Sequence, residues 1–255
     1  MTGIAEGGLT VIVATTGRPS LSHALASARR VLPVSKILIA PSEGARLDAI
    51  ASVPRVQILP PTGGVYEAWN LAVSHCQTDY LIFVNDDDVF EGRAIAPLVS
   101  ESLLINLPFR RSSSGVRPTF SRQRADTWIH PMDLFHANRA GNINSWIWRR
   151  SLFDRFGPFD STFRVRGDID WMQRLIGVPL RVVWLDEPVY VQGRGPDRLS
   201  GWERDCGRLV EEARRVLDSI ASRHGLRSAP SVLARAWFTH LRLRQMSRSR
   251  FKSSS

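Results

Sequence analysis

Short apolar runs alternate with stretches of helical spacing over the first half of the chain. Residues 9–14 read Leu-Thr-Val-Ile-Val-Ala, which predicts a strand buried on both faces. Residues 37–40 and 56–59 predict two more strands, and residues 80–84 (Tyr-Leu-Ile-Phe-Val) a fourth. Between the first two, Leu21, Ala24, Leu25, Ala28 and Val31 recur at intervals of three and four, a helix with Ser20 as its N-cap. Pro60-Pro61-Thr62-Gly63-Gly64 breaks the chain, and a helix over 65–76 follows with Val65, Ala68, Trp69, Ala72 and Cys76 along one side. Strands separated by helices imply an α/β fold with a mainly parallel sheet flanked by helices. Ligands of such sheets bind beyond the carboxyl ends of the strands.

The second half is less regular. Residues 109–125 are rich in Arg and Ser and predict a loop or hairpin, and 180–185 a late strand. Residues 202–224 form an amphipathic pattern, with Cys206, Leu209, Val210, Ala213, Val216, Leu217 and Ile220 on the apolar side and Gly225 as the stop. A second, basic amphipathic helix is predicted over 232–246. The expected division is a main domain over 1–200, a packed helix over 201–225 and a basic, Ser/Arg-rich tail over 226–255.

Composition narrows the class. With 43% hydrophobic and 23% charged residues among 255, chain-wide disorder, collagen and coiled coil are excluded. Two cysteines, Cys76 and Cys206, cannot build a disulfide framework or a four-cysteine zinc site. No run reaches the ~18–20 apolar residues of a membrane span, and the first residues lack a signal-peptide pattern, so a cytoplasmic location is expected. The net charge of +10 sits unevenly: seven of the ten charges lie after Leu226, a stretch with no acidic residue. A terminal basic stretch suits an anionic membrane surface, and no nucleic-acid partner is expected.

Two acidic groups carry the candidate chemistry. Asp86-Asp87-Asp88 follows the fourth strand directly. Adjacent carboxylates repel one another, so such a triplet is either a solvated, capping turn or a hard-cation site that holds a phosphorylated ligand. Asp168 and Asp170 fall in the first turn of a predicted helix, where the dipole favours negative charge. They either cap that helix or place a carboxylate to accept a proton from a hydroxyl. His130 and His136 lie six apart in an irregular segment and read as ordinary loop or core residues. Trp128, Trp146 and Trp148 either stack on sugars or pack in the core. No dinucleotide fingerprint, P-loop or nucleophile elbow is present.

Five segments in order resemble the inverting glycosyltransferases of family two, whose fold is GT-A, a Rossmann-like member of the nucleotide-diphospho-sugar transferase superfamily. They are residues 10–19, Gly64-Val65-Tyr66-Glu67-Ala68-Trp69-Asn70, Phe83-Val84-Asn85-Asp86-Asp87-Asp88, residues 149–153 with 157–160, and Gly167-Asp168-Ile169-Asp170-Trp171. The resemblance implies transfer of one sugar from a nucleoside diphosphate sugar to a hydroxyl of a saccharide or lipid-linked acceptor, with inversion. It implies Asp168 as the base with Asp170 as its alternate. A divalent cation, Mn²⁺ or Mg²⁺, would be held by Asp87 and Asp88. Thr15, Arg18, Glu43, Glu67, Asn70, Asn85 and Asp86 would contact the nucleotide sugar. The setting implied is polysaccharide or glycolipid assembly, cytoplasmic and peripheral to a membrane. Departures are visible too. Ile39-Ala40-Pro41-Ser42-Glu43-Gly44 lacks the aspartate that commonly reads the nucleobase, Gly167 replaces the first acid of a pair, and no histidine follows the late strand. Those departures keep a second reading open, a catalytically silent module that binds nucleotide sugar or glycan. A nucleic-acid-binding protein is the third.

Overall fold

The computed structural model describes residues 8–50, 53–93, 104–106, 109–111, 143–175, 178, 182–184, 189–193 and 206–224. The apolar runs become parallel strands. β1 (Leu9–Thr15) pairs in parallel with β2 (Val34–Pro41) on one side and with β4 (Tyr80–Asn85) on the other, while β3 (Val56–Ile58) extends β2. β8 (Trp146–Arg149) runs antiparallel to β4 and to β6 (Leu104–Asn106), and β9 (Val182–Trp184) lies parallel to β6. The sheet order is β3-β2-β1-β4-β8-β6-β9. A small second sheet sets β10 (Tyr190–Gln192) between β5 (Val89–Phe90) and β7 (Phe109–Arg111).

Side chains alternate across the main sheet, so an unbroken apolar run feeds two cores. Val11, Val13, Ile37, Ile39, Ile82 and Val84 share one face, covered by Leu21, Leu25 and Ala28 of α1 (Leu21–Val31). Ile12, Leu38, Leu81 and Phe83 share the other. That face is covered by α2 (Val65–Ser74), α3 (Ser151–Phe156), α4 (Gly167–Met172) and α5 (Cys206–His224), through Trp69, Phe153, Trp171 and Val216. Aromatic rings dominate here. Trp69 lies 4.6 Å from Phe83 between centroids, Phe153 stacks on Trp171 at 4.2 Å and 12°, and Trp148 meets Trp171 edge-on at 5.3 Å. Burying one large apolar side chain contributes roughly 1.5–3 kcal/mol, so this cluster binds the short helices to the sheet. Trp146 and Trp148 are thus core residues, 2% and 0% exposed.

Several boundaries differ from the sequence pattern. Ser20 is not a side-chain cap; its φ of −68° and ψ of −17° are already helical, and the Leu21 amide bonds instead to the Arg18 carbonyl at 3.1 Å. The turn before it depends on Gly17, at φ +81°, where a Cβ would strike the Arg46 backbone. The helix over 65–76 stops at Ser74, and the Cys76 amide turns back to the Val73 carbonyl at 3.1 Å while Cys76 stays buried. Within 180–185 the described residues form β9, and within 109–125 they form β7. The rest of that segment, Trp128, His130, His136, residues 201–205, Gly225 and the tail over 226–255 lie outside the described residues. Among the described residues no helix is long and apolar enough to cross a membrane.

Candidate active site

Thr15 and the acidic turn are brought together by register. Ala14 lies opposite Asn85 across the parallel β1–β4 pair, so Thr15 and Asp86 both emerge at the carboxyl edge. The Thr15 hydroxyl donates to Asp86 Oδ2 at 2.7 Å and accepts the Gly17 amide at 2.9 Å. Arg18 spans the turn, with Nη1 3.3 Å from Asp86 Oδ1 and 3.6 Å from Asp87 Oδ2. Asp88 points elsewhere and is wholly buried. Its Oδ1 accepts the Gly193 amide at 2.9 Å, and its Oδ2 accepts the Tyr190 hydroxyl and, at 3.3 Å, the Asn85 amide. Gly193 can be nothing larger, because a Cβ there would run into the Asp87 carbonyl. The repulsion expected of three adjacent carboxylates is therefore relieved one residue at a time, by a hydroxyl and a guanidinium on the outer pair and by a closed network on Asp88.

Asp168 and Asp170 do open α4, as their spacing predicts, and then part company. Asp170 is buried and ion-paired, 2.9 Å from Arg174 Nη2 one turn on. Arg174 also donates to the Phe156 and Pro158 carbonyls at 3.0 and 2.7 Å, so this pair ties α4 to the turn after α3. Asp168 is half-buried. Its Oδ1 accepts the Ile169 amide at 2.9 Å and the Tyr66 hydroxyl at 3.3 Å. Burial pushes its carboxyl above the usual range, while the Ile169 amide, the Arg166 charge and the Tyr66 hydroxyl pull the other way. A half-buried carboxylate with a raised proton affinity suits proton acceptance better than an ion-paired one.

The remaining candidates lie on α2, in the turn after β2 and at the end of β4. Asn70 uses both ends of its amide on one residue: Nδ2 donates to the Phe159 carbonyl and Oδ1 accepts the Phe159 amide, each at 2.9 Å. That double tie fastens α2 to the Gly157–Asp160 turn. Glu67 accepts the Gly63 amide at 3.0 Å through Oε2, holding the turn into α2. Asn85, half-buried, ends β4, and Glu43 is exposed in the turn after β2.

Glu212 escaped the sequence reading. It is 3% exposed, and its carboxylate accepts the amides of Arg164, Val165 and Arg166 at 2.7, 2.9 and 2.9 Å. It thereby anchors the three residues that lead into Asp168. The signal was present, since position 212 falls between Leu209, Ala213 and Val216 on the apolar side of its helix. Tyr190 and Tyr66 were missed as well, and both donate to acidic residues of the two candidate groups.

A mainly parallel sheet flanked by helices, with an acidic turn at its carboxyl edge, is the architecture of the GT-A fold. Residues 45–146 match the family model described as glycosyl transferase family 2, and the fold of the chain is of the GT-A type. The matched stretch includes Gly64–Asn70 and Asn85–Asp88 but neither Thr15 nor Asp168. Among solved structures, S. aureus TarS 1-349 in complex with UDP-GlcNAc is similar over 84% of this chain and 66% of its own, at 14% identity and a TM-score of 0.64. A second structure of TarS 1-349 gives 84% and 65%, 13% identity and a TM-score of 0.61. The mannosyltransferase PcManGT from Pyrobaculum calidifontis, in complex with GDP-Man and Mn²⁺, covers 90% and 69% at 15% identity and a TM-score of 0.60. This chain spans about 65% of the TarS 1-349 length. No curated protein matches it by sequence.

Proposed function

We propose that the chain is an inverting, divalent-cation-dependent glycosyltransferase that moves one sugar from a nucleoside diphosphate sugar to an acceptor hydroxyl. The observation that carries this reading is the division of labour at the sheet edge. Asp86 and Asp87 face a cationic group, and Asp168 sits apart on α4 with a raised proton affinity. In a single displacement the acceptor oxygen bonds to the anomeric carbon as the bond from that carbon to the diphosphate oxygen breaks. The diphosphate leaves with the electron pair, and the hydroxyl proton passes to Asp168. The structural neighbours support the donor class, since TarS and PcManGT are described with UDP-GlcNAc and GDP-Man respectively.

The acidic turn fits a hard cation. The Arg18 guanidinium stands where a positive charge is needed, between oxygens of Asp86 and Asp87. Mg²⁺ or Mn²⁺ needs only one or two carboxylates from the protein when it draws its other oxygens from substrate phosphates and water. Asp87 is the principal ligand in this proposal, with Asp86 beside it, while Asp88 shapes the turn through Tyr190 and Gly193. When bound, such a cation would supply charge stabilisation to the departing diphosphate. Arg18 contributes a second positive charge there, and Thr15 keeps Asp86 oriented. Asn70 fastens α2 to the Gly157–Asp160 turn, and Glu67 holds the turn into α2.

Asp87→Ala tests the reading directly. Calorimetric titration with UDP or GDP in the presence of Mn²⁺ should show binding to the wild type and at least a tenfold loss in the variant. Equal binding by both proteins, with and without metal, would sink the cation assignment.

The acceptor is proposed to be saccharide or lipid-linked, met at an anionic membrane surface by the basic tail over 226–255. The support is the charge pattern, seven basic residues and no acid. At about 1 kcal/mol per basic residue near such a surface, the attraction is enough for reversible docking. The full chain should float with anionic vesicles and not with neutral ones, and a chain ending at Gly225 should float with neither. Equal flotation of the two chains would remove the tail from the proposal.

A further inference from the structure

The candidate base has a neighbour that its sequence environment hides. A Cβ at Gly167 would lie 2.8–2.9 Å from three ring atoms of Tyr66, so the volume a side chain would occupy there belongs to the tyrosine ring. Tyr66 is 3% exposed. Its plane is fixed by Trp69, edge-on at 5.5 Å and 79°, and by Phe159 at 5.7 Å. So held, the ring carries its hydroxyl to Asp168 Oδ1 at 3.3 Å, where the Ile169 amide also donates at 2.9 Å. One carboxylate oxygen thus has two donors. Both side-chain and backbone donors from other residues, Tyr66 and Ile169, converge on Oδ1.

We propose that Tyr66 is the positioning residue of Asp168, clamping Oδ1 together with the Ile169 amide so that Oδ2 is presented to the acceptor hydroxyl, and that Gly167 is the residue whose missing side chain admits the ring. The inference rests on the assignment of Asp168 as proton acceptor. A carboxylate turning about its χ angles would meet the acceptor in many orientations, and misplacing a reacting group by about 1 Å costs up to about a hundredfold in rate. A ring locked by aromatic packing restricts that motion without adding a charge. Among the described residues two charged groups face the Tyr66–Asp168 pair, Arg166 just before α4 and Glu212 from α5. Burial, with the negative charges of Asp168 and Glu212, holds the Tyr66 proton well above its usual range. The hydroxyl therefore remains a donor across the neutral range.

Tyr66→Phe isolates the hydroxyl, because it keeps the ring and its contacts. Removing a donor to the ionised carboxylate should raise the Asp168 proton affinity further, since that hydrogen bond lowers it in the wild type. Carbon-13 NMR of aspartate-labelled full-length protein, with the Asp168 signal assigned by its loss in Asp168→Asn, reads this without any turnover. The Asp168 midpoint should move up, and the acid limb of kcat should move with it. kcat should fall about tenfold or more while KM for the donor is unchanged. Gly167→Ala, which pushes the ring away, should shift the midpoint in the same direction. A midpoint and a kcat profile both unchanged in Tyr66→Phe would overturn the proposal. A shifted midpoint in a protein that shows no transfer would leave Tyr66 as the positioning residue and overturn only the transferase reading.

Discussion

Asp168→Asn is expected to retain nucleoside diphosphate binding and to lose sugar transfer by about 10²–10⁴-fold, the usual contribution of a positioned general base. The amide keeps the shape of the side chain and still accepts from Tyr66 and Ile169 through its oxygen, but it cannot take a proton. The pH dependence follows from the direction of the shift. Burial raises the Asp168 carboxyl above the ordinary range, and a base must be ionised, so the wild-type rate should climb with pH through a midpoint above that of a solvated aspartate. Stability runs the opposite way. A carboxyl whose folded proton affinity exceeds its unfolded one favours the fold at acid pH, and that advantage is lost as pH rises through the folded midpoint. Asp168→Asn carries no such loss, so at neutral pH its thermal midpoint should equal or exceed that of the wild type. A transfer assay, calorimetry and a melting curve on one preparation check all three. Near wild-type turnover would move the proton to another group, and Asp170 would then have to break its pair with Arg174 to take it.

Glu212→Ala should be the most destabilising single change among the residues discussed. The substitution strands three backbone amides, those of Arg164, Val165 and Arg166, at a site where the glutamate is 3% exposed. An unsatisfied buried donor costs about 1–3 kcal/mol, and breaking a buried charged network about 3–5 kcal/mol in all. Denaturant unfolding should show a loss of that size, with the thermal midpoint falling by roughly 2–4 °C for each kcal/mol. Glu212→Gln retains one good acceptor and should lose less. Transfer should fall with stability in both variants, because these amides lead directly into the turn that carries Asp168. A loss below about 0.5 kcal/mol in Glu212→Ala would mean that the amides find water or another partner, and that α5 does not hold the base in place.

The parts of this fold that could be read from the sequence are those where burial is complete. β1 and β4 are legible because strands covered on both faces read as near-continuous apolar runs, as Val11–Ala14 and Leu81–Val84 do. The edge and the turns are less legible. Ser20 has the right residue type for a cap, yet the approach of Gly17 to Arg46 sets the chain direction before Ser20 can act. For the site, the adjacency of Asp86, Asp87 and Asp88 advertised a charged cluster but not the separate partner each residue finds. Asp168 and Asp170 look equivalent in sequence; only Arg174, four residues beyond Asp170, marks one of them for an ion pair. Tyr66 and Glu212 act across 102 and 46 residues of chain, on Asp168 and on the Arg166 amide, and no local pattern encodes such a distance.

The aromatic cluster on the α2 side of the sheet also gives the protein an optical sensor. Trp171 follows Asp168 by three residues on α4, is fully shielded from water, and donates its indole N–H to the Gly157 carbonyl at 2.8 Å. Its ring lies flat on Phe153 and edge-on to Trp148. Indoles held this close in a fixed relative orientation couple their electronic transitions, which gives a chiral signal in the near ultraviolet that vanishes when the packing loosens. Any tilt of α4, whether on ligand arrival or on loss of the Glu212 anchor, changes the angle of that indole. The helix that presents the carboxylate can therefore be followed in the unlabelled protein by near-ultraviolet circular dichroism or tryptophan emission.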